Sequence, residues 1–91
     1  MYKIETTNKF NKDLKKCIKR NLEINALFEV MKALEMSGTL DKQYKAHKLS
    51  GNFYGNWECH IRPDWLLLWE QDETTKTILF KNTGTHSDIF G

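Results

Sequence analysis

Three histidines and one aspartate in the second half of the chain could carry acid–base chemistry. His47, His60 and His86 are the only histidines among the 91 residues, and Asp64 follows His60 closely. An imidazole has a reference pKa of about 6.5, so one histidine can be neutral while another is protonated near pH 7. If the fold brings these residues together, they could remove a proton at one atom and deliver one at another.

A carboxylate precedes the second histidine at strand spacing. Glu58 lies two residues before His60, which puts both side chains on one face of an extended strand. Because the residues that alternate with them are apolar, we expect this polar pair to face out of the core. Asp64 opens the next strand after a tight turn at Arg62-Pro63, and the strand register decides whether it shares the same face.

Each of these residues also has a purely structural interpretation. A single surface histidine is usually solvated, Asp64 after a proline could be a turn residue, and residues 85–88 could simply cap a terminal helix. A metal site is not expected, because the histidines lack an i, i+4 pair and the cysteines lack CxxC spacing. We predict instead that Cys17 and Cys59 are buried apolar side chains.

Length and composition indicate one small folded domain, residues 1–91. Hydrophobic residues make up 40% of the chain and charged residues 29%, with a single proline, which is typical of a globular protein. This length leaves no room for a separate cofactor-binding unit, so no cofactor is expected. The lack of a long apolar run or a signal-peptide pattern predicts a cytoplasmic protein that does not contact membranes.

The small net charge of +2 conceals two basic segments. Residues 1–20 carry seven lysines or arginines against two acids, and residues 42–48 carry three lysines and no acid. By default a basic helix face is only solvated, but it also suits docking on the phosphate backbone of RNA. The lysines that recur three or four residues apart, and so define one face of a helix, are Lys9, Lys12, Lys16 and Lys19.

The N-terminal half predicts a strand followed by a helical hairpin. Residues 2–6 alternate apolar and polar, and the polar run Thr6–Asn8 offers a helix N-cap. A second helix carries an apolar stripe between residues 27 and 34 and stops before Gly38. The stripe that the first helix, about residues 8–20, is expected to bury consists of Phe10, Leu14, Cys17 and Ile18.

The C-terminal half predicts a mainly antiparallel sheet after a polar loop that has room for a short strand. Three strands follow at about residues 57–61, 64–69 and 76–82. The middle strand is apolar on both faces, as in a central strand covered from each side. The expected fold is α+β in the order β-α-α-β-β-β, with the helical hairpin on one face of the sheet and a short helical segment, residues 86–90, closing the chain.

Three sequence blocks resemble the YafQ branch of the RelE/ParE toxin superfamily. They are His47–Gly51, Trp57–Leu68, and Thr83–His86 continued by Ile89-Phe90. The blocks keep the order and spacing of that family, and the resemblance covers nearly the whole chain. It implies a RelE-like fold, a ribosome-dependent endonuclease that cuts mRNA in the decoding A site, and a cognate antitoxin that holds the toxin inactive in a hetero-oligomer.

The resemblance also implies roles for individual residues. The implied catalytic set is His47, His60, Asp64 and His86. Trp65 and Phe90 match supporting or substrate-contacting positions, and Glu58 stands where relatives can have aspartate. Asn82 stands where an arginine commonly helps to neutralise the scissile phosphate. Lys81 should point to the opposite face, so we expect the compensating charge to come from Arg62, Lys45 or Lys48.

RNA can be cut without a metal, because its own 2′-hydroxyl can attack the neighbouring phosphate. We hypothesise that His86 is the general acid, that Asp64 or His60 is the general base, and that His47 with nearby lysines stabilises the phosphate. The lysine face of the first helix would then contact ribosomal RNA. Two non-catalytic alternatives stay open, a gyrase inhibitor of the ParE type with the same fold and a basic RNA-binding module, although the histidine and aspartate set argues against both.

Overall fold

The chain forms the predicted order of elements and adds one short strand. The computed structural model describes residues 1–91. Two 3₁₀ turns, Lys42–Tyr44 and Gly51–Phe53, flank the added strand. The helices and strands are β1 (Lys3–Thr6), α1 (Asn8–Lys19), α2 (Ile24–Ser37), β2 (His47–Lys48), β3 (Trp57–Arg62), β4 (Trp65–Asp72), β5 (Thr77–Gly84) and α3 (His86–Phe90).

The five strands form one mixed sheet in the order β1-β5-β4-β3-β2. β1 pairs with β5 in parallel, and the other three pairs are antiparallel. The predicted α+β fold with a mainly antiparallel sheet is therefore confirmed. None of the helices has the length and apolar character that crossing a membrane requires.

Helix α1 buries most of the predicted stripe, with Phe10 and Cys17 in the core and Leu14 partly buried against it, but not Ile18. Its N-cap is Thr7, whose hydroxyl accepts a hydrogen bond from the Phe10 N–H at 3.0 Å. The buried residues are Phe10, Asp13 and Cys17, whereas Ile18 is 52% exposed, so the prediction for Ile18 was wrong. Asp13 turns inward because its carboxylate accepts a hydrogen bond from the buried Thr83 N–H at 3.2 Å, which rotates the buried face away from Ile18.

Helix α2 begins at Ile24, three residues before its apolar stripe, and ends just before Gly38, as predicted. Its buried residues include Leu27, Val30 and Leu34, which pack in the same core as α1. Gly38 adopts the left-handed conformation at φ +71°. A Cβ atom at Gly38 would also meet the ring of Tyr2 at 2.6 Å, so glycine is required here for both backbone and space.

The central strand β4 is buried on both faces, as its sequence predicts. Trp65, Leu67 and Trp69 belong to the core cluster that includes residues of both long helices. Leu66 and Leu68 point to the opposite face of the sheet and are also buried. This second face carries the candidate site.

Both cysteines are free and buried, which confirms their interpretation as apolar core residues. Burial raises the pKa of the Cys17 thiol. Burial likewise raises the pKa of the Cys59 thiol, to about 12. Neither thiol is therefore a reactive thiolate near neutral pH.

Candidate active site

The structure brings the three histidines of the chain together. The ring centroids of His47 and His60 lie 6.5 Å apart, and those of His60 and His86 lie 5.7 Å apart. Residues 39 positions apart in the chain therefore line one continuous surface. This grouping is the arrangement that acid–base chemistry needs, and no single strand or helix could supply it.

Strand pairing fixes two of the three histidines. His47 on β2 lies opposite Glu58 on β3, and His60 lies opposite Leu66 on β4. The register shifts between His60 and Arg62, which marks an irregularity just before the hairpin turn. Such a bulge bends a strand and re-aims its side chains. The sequence could not predict this shift, which lies just before the turn that contains Asp64.

All three imidazoles are oriented by an oxygen at Nδ1. Nδ1 of His47 lies 2.8 Å from the Lys45 carbonyl oxygen, and Nδ1 of His60 lies 3.3 Å from the Pro63 carbonyl oxygen. Nδ1 of His86 lies 2.5 Å from Asp64 Oδ1. Because carbonyl and carboxylate oxygens only accept, each Nδ1 carries the hydrogen. Nε2 is thus the second nitrogen of each ring: in His47 and His60 it faces Glu58, and in His86 it has no protein partner.

Glu58 is buried between two of these imidazoles. Its Oε1 lies 3.2 Å from His47 Nε2 and 3.7 Å from His60 Nε2. Glu58 shares a face with His60 on the side of the sheet opposite the main core, as expected, but the sequence did not predict that Glu58 is only 6% exposed there. A buried carboxylate needs hydrogen-bonding or charged partners, and the two histidines supply them.

Asp64 holds the third histidine by two contacts. Its Oδ1 accepts a hydrogen bond from the backbone N–H of His86 at 2.9 Å, in addition to the contact with Nδ1. The backbone bond first, and then the side-chain bond, keep the pKa of Asp64 below its usual value. Asp64 is therefore ionised near neutral pH, where it orients His86.

We expect this contact to make folding stability depend on pH in acid. Since the pKa of Asp64 is lowered in the folded chain, the unfolded chain takes up the proton first, near pH 3.9, a value of about the ordinary aspartate pKa. The stabilisation is complete above that pH and is lost as the pH falls through the folded-state pKa. In urea titrations at pH 6 and pH 3, Asp64→Asn should lose less stability on acidification than the wild type. Equal losses would contradict the contact.

Helix α3 starts at the third histidine because Thr85 caps it. The Thr85 hydroxyl accepts a hydrogen bond from the Asp88 N–H at 3.0 Å, and the Asp88 carboxylate accepts one from the Thr85 N–H at 2.9 Å. This reciprocal capping box confirms the capping interpretation of residues 85–88. The cap also places His86 as the first residue of the helix, so the structural and functional interpretations are compatible.

The two aromatic candidates lie in different environments. Trp65 is 4% exposed, and its Nε1–H donates to the buried Thr83 hydroxyl at 3.0 Å. An indole in the core has no free face for a base, so Trp65 is not placed to contact a substrate. Phe90 is 42% exposed, packs edge-to-face on Phe53 at 4.8 Å and lies 6.4 Å from the His86 ring. Phe90 is thus available to a ligand beside the histidines.

The three candidate cations differ in where they lie relative to the histidines. Lys45 and Arg62 line a cleft of about 410 Å³ together with His60. Arg62 also pairs with Glu23 at 2.9 Å, on the surface, and Lys48 lies 5.5 Å from the centre of the Trp57 ring. Lys45 and Arg62 therefore lie beside His60, as expected, whereas the expectation for Lys48 was wrong. Lys48 follows His47 in β2 and points to the opposite face of the sheet, over Trp57.

Asn82 lies on the site face, whereas its basic neighbour does not serve the site. Asn82 pairs with Leu68, which in turn lies opposite Glu58, so the three form one row across the sheet. Lys81 instead forms an ion pair with Glu70 at 2.6 Å. The expectation that Lys81 cannot replace an arginine at position 82 agrees with this geometry.

Several residues of the site gave no signal in the sequence. Gln43 and Tyr44 line the cleft beside His60, but they lie in a 3₁₀ turn whose three residues have no periodicity to detect. Thr83 links Trp65 to the backbone, since its hydroxyl donates to the Leu66 carbonyl at 2.8 Å. Only knowledge of the strand register could have predicted that Thr83 is buried at this position.

The predicted lysine face of α1 is exposed and basic. Lys9 is partly engaged, because its ammonium forms an ion pair with the buried carboxylate of Asp13. The other three lysines of this face have no ion-pair partner within 4.0 Å: Lys12, Lys16 and Lys19. They are free to meet an external anion.

The fold and the sequence match a class of small bacterial toxins. The sequence profile of the family described as "Bacterial toxin of type II toxin-antitoxin system, YafQ" matches residues 2–91. The mRNA interferase toxin YafQ of Escherichia coli strain K12 is 37% identical over 90 residues, which span 97% of this chain and 95% of that protein. These matches define a toxin of a type II toxin–antitoxin system. Within that class, the chain belongs to the YafQ family.

Solved structures of relatives confirm the RelE-like fold. The YafQ chain in the crystal structure of the E. coli DinJ-YafQ complex has a TM-score of 0.91 and 34% identity, with 100% of both chains covered. A metal-bound toxin from Helicobacter pylori has a TM-score of 0.90 and 36% identity, covering 99% of this chain and 100% of the other. In the present chain no group of three or more His, Cys, Asp or Glu side chains is arranged to hold a metal ion. Metal-independent chemistry stays a prediction.

Proposed function

We propose that this protein is a ribosome-dependent endoribonuclease toxin that cleaves translated mRNA in the decoding A site. The observation that carries the proposal is the cluster of three imidazoles, each oriented through Nδ1, with His60 and His86 at a ring separation of 5.7 Å. The E. coli relatives that bear the name mRNA interferase toxin support the substrate class.

The proposed reaction is attack of the RNA 2′-hydroxyl on the adjacent phosphate. A base removes the hydroxyl proton, the phosphorus–oxygen bond forms, and an acid protonates the 5′-oxygen as it leaves. His86 is proposed as the acid, acting through Nε2. Of the two candidate bases we favour His60, because the lowered pKa of Asp64 makes it a weak base and its oxygen is engaged with His86. Asp64 then acts as the partner that orients the acid.

Positive charge at the scissile phosphate is proposed to come from outside β5. Because Asn82 carries no charge, His47 and the cleft residues Lys45 and Arg62 are the groups that would neutralise the pentavalent phosphate. Phe90, half exposed beside His86, would stack on a neighbouring base, a contact that contributes about 1–3 kcal/mol per base in other proteins.

The proposed partners are a cognate antitoxin, mRNA and the ribosome, all met in the cytoplasm. The E. coli DinJ-YafQ complex, solved twice, supports a protein antitoxin that forms a hetero-oligomer with the toxin. Binding of an antitoxin near the histidine cluster would keep the RNA out. No cofactor is included in this proposal.

The alternative function, gyrase inhibition by a ParE-type toxin, is tested in parallel with RNA cleavage. Purified protein should cut a ribosome-bound message and leave DNA supercoiling by gyrase unchanged. Inhibition of gyrase without cleavage would replace the proposed function by the alternative. Binding of RNA without either effect would leave only a basic RNA-binding module.

The lysine face of α1 is proposed to contact ribosomal RNA. Reversing the charges of Lys12, Lys16 and Lys19 to glutamate should weaken ribosome binding, and the slope of log affinity against log salt should fall by about 1 for each lysine that contacts a phosphate. Lys32→Glu, on the exposed side of α2, is the control for a general charge effect. Unchanged binding and slope in the triple variant would exclude this face.

A further inference from the structure

We propose that Arg20, at the end of α1, is a positioning residue that holds the short helix α3 so that His86 stays on Asp64. Arg20 does not touch the histidine cluster. It acts through Asp88, which lies 68 residues later in the chain. The effect on RNA cleavage rests on the proposed function above, whereas the effect on structure does not.

The contact between Arg20 and Asp88 is bidentate. One guanidinium nitrogen donates to Asp88 Oδ2 at 2.6 Å, and the other donates to Asp88 Oδ1 at 3.2 Å. A planar guanidinium matches a carboxylate in this fork geometry, which fixes direction as well as distance. The contact therefore ties the end of α1 to α3, which has no buried residues of its own.

The carboxylate of Asp88 is fixed from a second and a third side. It accepts the Thr85 N–H at 2.9 Å as part of the capping box. Gly84 packs directly against it, since a Cβ atom at Gly84 would lie 2.8 Å from Asp88 Oδ2. The Arg20 side chain is the largest contributor to the lowered pKa of Asp88, so this carboxylate is ionised at neutral pH.

Helix α3 needs such support because it is very short. It spans five residues, His86–Phe90, and helices of this length are not stable alone in water. Both hydrogen bonds that Asp64 receives come from His86, one from its backbone and one from its ring. If the first turn of α3 frays, both bonds are lost together. Arg20 thus affects the proposed acid, His86, by stabilising the capped first turn of α3. Its own positive charge does not act at the histidine cluster.

The test compares Arg20→Gln with Lys15→Gln in the full-length protein. Lys15 is exposed on the same helix and forms no ion pair within 4.0 Å, so its replacement removes the same charge without touching α3. The first readout is the pKa of Asp64, from the ¹³C chemical shift of its carboxyl. In Arg20→Gln this pKa should rise toward the ordinary value of about 3.9, and in Lys15→Gln it should stay low.

The second readout separates kcat from KM in ribosome-dependent cleavage. Arg20→Gln should lower kcat by up to about 10²-fold with little change in KM, because misplacement of an acid affects the chemical step. Arg20→Lys keeps the positive charge but cannot form the bidentate contact with Asp88. It should therefore fall between the wild type and Arg20→Gln in both readouts. If Arg20→Gln matches Lys15→Gln in the Asp64 titration, the proposal is overturned. If the Asp64 pKa rises but the wild type cuts no RNA, the positioning stands and the proposed function fails.

Discussion

Replacing His86 with alanine is expected to lower the rate of mRNA cleavage on ribosomes by about 10²- to 10⁴-fold, the usual contribution of a positioned general acid. The substitution removes Nε2, the nitrogen proposed to protonate the leaving 5′-oxygen. It keeps the backbone N–H that donates to Asp64 at 2.9 Å, so residue 86 retains one of its two hydrogen bonds to Asp64. The measurement is single-turnover cleavage of a message bound to ribosomes, with the antitoxin removed.

Ser87→Ala is the matched control for this variant. Ser87 is exposed and is the next residue of the same helix, so its replacement tests whether any change in α3 lowers the rate. The control should cut at the wild-type rate, and both variants should still bind the antitoxin. If His86→Ala cuts as fast as Ser87→Ala, His86 has no part in proton transfer.

Replacing Glu58 with glutamine is expected to lower cleavage by about 10²-fold, the loss that a misplacement near 1 Å can cause. Glu58 shares one oxygen between His47 Nε2 and His60 Nε2, at 3.2 and 3.7 Å. Glutamine keeps the size of the side chain and one accepting oxygen but loses the negative charge, and its NH2 group only donates. The two rings should therefore lose their common anionic partner.

The control for Glu58→Gln is Glu29→Gln, which removes an exposed carboxylate of α2 that forms no ion pair within 4.0 Å. Urea denaturation of both variants separates a loss of chemistry from a loss of folding. We expect Glu58→Gln to be folded under assay conditions and slow in cleavage, whereas Glu29→Gln should be folded and cut at the wild-type rate. A folded Glu58→Gln protein with normal cleavage would remove the buried carboxylate from the mechanism.

Local sequence signals predicted most of the fold, because each helix or strand contains its own signal. Thr7 gave the start of α1 through N-cap chemistry, and Gly38 gave the end of α2 through its left-handed conformation. The double-sided apolar run of residues 65–69 identified the central strand. In each of these cases, contacts within a few residues decide the structure, so pattern and propensity were sufficient.

The errors arose where a distant residue decides the environment. Asp13 is buried because it meets the Thr83 N–H, 70 residues away, and this rotates α1 so that Ile18 is exposed. Glu58 is buried because His47 and His60 approach it from two different places in the chain. No periodicity within α1 or β3 contains this information.

The candidate site could be predicted only in part. The residue types and the family resemblance selected the four implied catalytic residues, and the structure brings them onto one surface. The strand irregularity after His60 and the clamp between Arg20 and Asp88 had no local signal. Asn82 lies in the row with Leu68 and Glu58. Because its side chain carries no charge, we expect the positive charge for the phosphate to come from the cleft beside His60.

The chemistry of the RNA ends tests the central claim most directly. Attack by the 2′-hydroxyl leaves a 2′,3′-cyclic phosphate on the upstream fragment and a 5′-hydroxyl on the downstream fragment. Mass spectrometry of a short message cut on ribosomes by the wild-type protein should find these two ends, and a message with a 2′-deoxy sugar at the cleavage position should stay intact. A 3′-hydroxyl paired with a 5′-phosphate would mean that an activated water attacks the phosphorus, and it would contradict the roles proposed for His60 and His86.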